Sequence, residues 1–181
     1  AISTVYNYFD KLLLTYLLGF QSLAIYYVAE ALPSHIVQQT KAVLALLARP
    51  FNTKNRSFSF VWRYVKYGFL ISLSLSLLLI LVLPILIPLF FTTTYTSSIG
   101  IAQLFALAFI FQIPIWLFEF YLQSQKRVRS LYIYQLGVPL IAFIAYPIMI
   151  ATAGLLGAVY TRIGLHALSF VTLLILARRQ S

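Results

Sequence analysis

The strongest constraint on this chain is the stretch from Leu70 to Phe91, LISLSLSLLLILVLPILIPLFF, which contains no charged residue. About 20 apolar residues, at 1.5 Å each, cross the roughly 30 Å hydrocarbon core of a bilayer. A segment of this kind cannot be covered on all sides by a domain of 181 residues. Lipid covers it at no cost, provided its backbone hydrogen bonds are made within the helix. Four further runs meet the same criterion: Leu23–Ala48, Ile99–Leu122, Leu131–Thr152 and Leu155–Ala177, beside the Tyr67–Phe91 run that holds the stretch above. A sixth run, Ile2–Gly19, is shorter and carries Asp10 and Lys11, as expected for the exit part of a span whose start is missing. The chain opens on Ala1 in apolar sequence, so it is read as a fragment of a longer membrane protein. The expected fold is all-α: one transmembrane helix bundle over residues 1–181, with about six membrane helices, the first truncated.

Composition agrees. Hydrophobic residues make up 62% and charged residues 9%, against about 45–50% and 25% in soluble domains. A water-soluble enzyme and a disordered chain are both excluded. Without cysteine there is no disulfide framework, thiol catalysis or Cys-based metal site. Neither a Gly-rich phosphate loop nor a His pair at i, i+4 occurs, so no ATPase, metal site or cofactor is expected.

The net charge of +10 is a matter of topology. Arg49, Lys54, Arg56, Arg63 and Lys66 follow the second helix, Lys126, Arg127 and Arg129 the fourth, and Arg178 and Arg179 the last. The alternate loops, Phe20–Ser22, Thr92–Ser98 and Ala153–Gly154, hold no Lys or Arg. Ten of the 13 basic residues therefore share one side, which the positive-inside rule makes cytoplasmic, with both termini. Membrane lipids are the expected partners of these charges, and nucleic acid is not. The expected location is the cell membrane, spanned several times.

Ionisable residues within spans cost about 2.5–3.5 kcal/mol each on insertion scales and need a reason. Counted at helical spacing, they form one polar stripe on each of four helices. The stripes are Ser3, Asn7 and Asp10; Glu30, Ser34, Gln38 and Lys41; Gln112, Glu119 and Gln123; and Arg162, His166 and Ser169. Four helices facing a shared polar interior would produce this pattern. One explanation is structural: charges pair across helices, Asp10 with Arg162 or Glu30 with Lys41 of a neighbour, and hold the bundle together. The other is a ligand site.

Particular residues then carry a resemblance. Phe9-Asp10-Lys11 leads through an apolar run to Leu18-Gly19, followed by Ile25-Tyr26-Tyr27-Val28-Ala29, with Pro50 after the next helix and Gly154-Leu155-Leu156-Gly157-Ala158 at a later turn. In order and spacing this resembles polysaccharide flippases of the multidrug/oligosaccharidyl-lipid/polysaccharide exporter superfamily. Ala24 departs from the Gly usual there. The resemblance implies the C-terminal lobe of a two-lobed exporter, with an N-terminal lobe as its partner. The implied substrate is a lipid-linked oligosaccharide of the undecaprenyl pyrophosphate type, moved by alternating access in polysaccharide or lipopolysaccharide biosynthesis. Under that reading Arg162, Lys41 and Lys11 hold the pyrophosphate, with His166, four residues on from Arg162, able to share that anion site, while Gln38, Gln112, Trp116 and Tyr134 are available to the sugar. Asp10 and Glu30 are candidates for ion coupling. Two other classes stay open: a cation-coupled multidrug exporter of the same superfamily, whose cavity should favour carboxylates, and a membrane-embedded enzyme of the polysaccharide pathway. The second needs a catalytic loop, yet the longest loop, between Ala48 and Tyr67, has no acidic residue and no His.

Overall fold

The computed structural model describes residues 2–47 and 58–178. Arg49, Pro50, Lys54, Arg56 and Arg179 lie outside the described residues, as do the side chains of Ser3 and Asn7. The described elements are all helical: α1 (Ile2–Leu47), α2 (Phe58–Phe91), a 3₁₀ segment (Thr93–Ser98), α3 (Ile99–Ala108), a 3₁₀ turn (Phe109–Phe111), α4 (Gln112–Ser124) and α5 (Val128–Arg178). Four helical stretches are long and apolar enough to cross a membrane: Tyr8–Ala42, Phe58–Phe91, Thr93–Ser124 and Val128–Arg178. This is the make-up of a multi-pass membrane protein.

Two of these stretches are not straight. An unbroken helix of 51 residues, the length of α5, would extend about 77 Å, more than twice the hydrocarbon thickness. Helix α5 breaks at Gly154 (φ 59°, ψ −138°), and α1 breaks at Gly19 (φ 80°, ψ 175°). Positive φ of this kind is open to glycine and strained for other residues. After each break the chain runs back along itself. Tyr26 reaches Asp10 across the α1 break, and Gly157 packs against the Met149 carbonyl so closely that a Cβ has no room. The three-residue loop expected at Phe20–Ser22 is therefore helical, and the reversal falls on Gly19 alone.

Helix α2 starts at Phe58, nine residues before the expected Tyr67. Arg63 and Lys66 are exposed on its first turns, not in a loop. The expected Ile99–Leu122 span is interrupted at Phe109–Phe111. Pro114 is the cause: it lacks an N–H, and its ring crowds the carbonyl of residue 110. The freed Ile113 N–H donates to Ser72 Oγ on α2 (3.3 Å). Ser76 Oγ donates to the Ala106 carbonyl (2.5 Å), and Gln103 Nε2 to the Ile80 carbonyl (3.0 Å). Small hydroxyls thus repair a broken helix inside an apolar bundle. No ionisable residue marks this face of α2. The i, i+4 pair Ser72 and Ser76 was the available signal.

Two apolar clusters make the core. One, near the glycine breaks, contains Leu14, Tyr26, Leu83, Phe105, Tyr146 and Leu165. The other contains Val61, Val65, Phe118, Tyr121, Leu122, Leu173 and Ala177. It lies at the end that carries Arg63, Lys66, Lys126, Arg129 and Arg178. Asp10, Glu30 and Arg162 stand along their helices among the residues of the first cluster. Outside, Leu81, Ile85, Leu89, Leu140, Ile144 and Ile148 are exposed along α2 and α5, a continuous apolar coat that suits lipid and not water.

Candidate functional site

The polar stripes converge. The first arm of α1 brings Asp10 and Lys11, its second arm Glu30, and the second arm of α5 Arg162. Arg162 Nη1 lies 3.1 Å from Asp10 Oδ2, and Arg162 Nη2 lies 2.6 Å from Glu30 Oε1. Glu30 Oε2 also takes Lys11 Nζ at 2.9 Å. Tyr26 donates its hydroxyl to Asp10 Oδ2 at 2.6 Å. Two cations and two carboxylates thus form one neutral chain, Lys11–Glu30–Arg162–Asp10, closed by Tyr26. By helix rise its members sit on the order of 10–16 Å from the glycine breaks. Asp10 and Glu30 are buried, and in a low-dielectric interior each cation offsets a charge that would otherwise stand unpaired.

Of the two pairings considered from sequence, Asp10 with Arg162 forms. Glu30 instead meets Lys11 and Arg162. One turn along α5 from Arg162, His166 places Nδ1 2.9 Å from the Arg162 carbonyl and Nε2 2.8 Å from Gln112 Oε1. This ties the second arm of α5 to the start of α4.

A cavity of about 650 Å³ opens beside the ion-pair chain. Arg162, Lys41, Lys11, His166, Gln38 and Gln112 all line it, with Glu30, Tyr8, Tyr27, His35 and Trp116. A second cavity of about 280 Å³ shares Tyr8, Lys11, Glu30, Gln38 and Arg162 and adds Asp10 and Tyr146. The larger volume is that of a small-molecule pocket. Lys41 is exposed, with Nζ 5.2 Å from the centre of the Trp116 ring and Glu119 as its nearby carboxylate. No ion pair within 4 Å engages it among the described residues. Lys41 is thus the cavity cation with charge to spare, whereas Arg162 and Lys11 are already neutralised.

One sequence expectation falls elsewhere. Tyr134 is not on the cavity wall, because it hydrogen-bonds Glu119. Glu119 is half-buried beside Lys41 and Tyr134. The tyrosines Tyr8, Tyr26 and Tyr27 were missed. Tyr27 stands three residues before Glu30 and extends that stripe by one turn once a phenol is counted as polar, whereas Tyr8 stands three before Lys11, on a face outside the stripe of Ser3, Asn7 and Asp10.

In comparisons of the chain with protein-family models, curated proteins and solved structures, nothing matches.

Proposed function

We propose that this chain is part of a membrane transporter that moves a lipid-linked oligosaccharide of the polyprenyl pyrophosphate type across the cell membrane. It crosses the membrane six times, because α1 and α5 each fold back at a glycine into two arms long enough to span. Both termini are cytoplasmic by the distribution of Lys and Arg. The observation that carries the reading is the cavity: about 650 Å³ of space inside the bundle, lined by Gln38, Gln112, Arg162 and His166 among apolar residues, with Lys41 on its wall in no ion pair among the described residues.

In this mechanism the pyrophosphate meets Lys41 first, in charge-assisted hydrogen bonds that low dielectric strengthens. Gln38 and Gln112 hydrogen-bond the ligand beside it. Arg162 and Lys11 chiefly hold the wall together, because Asp10 and Glu30 already neutralise them. The same two carboxylates are where a coupling ion would act. The polyprenyl tail stays in lipid along the apolar coat. Alternating access comes from rocking this lobe against a second, N-terminal lobe. The multidrug-exporter alternative loses support, since both cavity carboxylates are spent on internal cations.

The test is co-reconstitution of this chain with the N-terminal lobe proposed as its partner, in proteoliposomes with a fluorescent polyprenyl diphosphate oligosaccharide, read by quenching of the label on one leaflet. Wild-type protein should translocate it, and Lys41→Gln should slow translocation. A wild-type protein that leaves this lipid in place but moves a cationic dye would overturn the reading in favour of a multidrug exporter.

A further inference from the structure

We propose that Tyr8, Tyr27 and Lys11 form a subsite for a neutral hexose ring of the carried glycan, with Glu30 accepting a sugar hydroxyl. This rests on the transport reading above and names what its cavity recognises.

Both tyrosines line the cavity and each is 57% exposed. A membrane-interface belt does not account for them. They stand 11 residues before and 8 residues after Gly19, about 16 and 12 Å from that turn, deep along their arms. Lys11 Nζ is 5.6 Å from the Tyr8 ring centre and 5.3 Å from the Tyr27 ring centre. Its salt bridge to Glu30 fixes it there. The ammonium therefore holds two aromatic rings around a polar point before any ligand arrives, which lowers the ordering cost of binding. Among the described residues neither phenol hydroxyl has a hydrogen-bond partner.

The charge pattern selects the ligand. A cation would meet the Lys11 ammonium beside both rings and be repelled by its charge. An anion would meet Glu30 and find Lys11 neutralised. An apolar ligand would take water from Lys11, Glu30 and two phenols without replacing its hydrogen bonds. A neutral sugar satisfies each group. Its C–H face carries slight positive charge and lies on the negative face of a tyrosine ring. Its hydroxyls accept from Lys11 and the phenols and donate to Glu30.

The experiment measures binding to the detergent-solubilised protein of two probes: a polyprenyl diphosphate bearing a neutral hexose disaccharide, and the same lipid diphosphate without sugar. Wild-type protein should bind the sugar-bearing probe more tightly. Tyr27→Leu and, separately, Tyr8→Leu should weaken that probe roughly three- to tenfold, the scale of one aromatic contact, and leave the bare lipid unchanged. Tyr27→Phe should keep most of the preference. Equal affinity of wild type for the two probes, or equal losses on both probes in the leucine variants, overturns the subsite while the transport reading stands. Failure of wild type to bind either probe overturns the transport reading itself.

Discussion

Asp10 and Arg162 are 152 residues apart in the chain and 3.1 Å apart in the fold. The contact joins the first arm of α1 to the last arm of α5, and Glu30 holds the other side of the same guanidinium. Arg162→Ala leaves two carboxylates short of a cation in the bundle interior. The expected loss is about 3–5 kcal/mol, read as a lower unfolding midpoint in detergent and a lower yield in the membrane. Arg162→Lys should recover part of it, since one charge survives but the fork that reaches both carboxylates does not. An Arg162→Ala protein as stable as wild type would show that the ion-pair chain does not hold the arms together.

Adjacent tyrosines should respond in opposite ways. Tyr26 is fully buried, and its hydroxyl donates to Asp10; Tyr27 faces the cavity. Tyr26→Phe should cost about 1.5–3 kcal/mol, the value of a hydrogen bond to a charged group. Tyr27→Phe should stay within about 0.5 kcal/mol, as surface changes do. Denaturant titration of both variants separates them, and equal stabilities would contradict the geometry.

The α5 reversal depends on the absence of a side chain at Gly157. A Cβ there runs into the Met149 backbone, whereas one at Gly100 meets nothing within 4 Å. Gly157→Ala should destabilise by about 1–3 kcal/mol through overpacking, and Gly100→Ala should be neutral or slightly stabilising. Thermal melts of the two variants check this. The idea fails if Gly157→Ala is the more stable protein.

Lys41 is exposed and outside the ion-pair chain. Lys41→Gln should leave stability within about 0.5 kcal/mol. It should weaken binding of a polyprenyl diphosphate roughly ten- to a hundredfold, as expected for loss of a charged hydrogen-bonding partner. A titration that gives wild-type affinity would remove Lys41 from the anion site.

The side of each loop is open to labelling because the chain has no cysteine. An impermeant thiol reagent applied to intact cells should modify Thr94→Cys, in the 3₁₀ segment without Lys or Arg. It should not modify Gln125→Cys, beside Lys126 and Arg127. The reverse pattern would invert the membrane orientation.

Sequence alone determined the class of molecule. Lipid solvent demands long apolar helices with internal hydrogen bonds, so the run from Leu70 to Phe91 announces itself without a partner. Helical spacing likewise placed Glu30, Gln38 and Lys41 on one face, because that property belongs to a single helix. The reversals were legible at Gly154-Leu155-Leu156-Gly157 but misplaced by a few residues at Gly19, where no extra loop residue is needed once glycine adopts positive φ. What only the tertiary structure decided is which charge meets which. Arg162, Lys11 and Lys41 are equivalent cations in a sequence. Whether one is neutralised depends on distances between arms far apart in the chain, and Coulomb energy in a low-dielectric interior changes by several kcal/mol over a few ångströms. Those distances gave Arg162 two carboxylates and Lys11 one, left Lys41 without any within ion-pair reach among the described residues, and turned Tyr8 and Tyr27 from ordinary membrane aromatics into cavity wall.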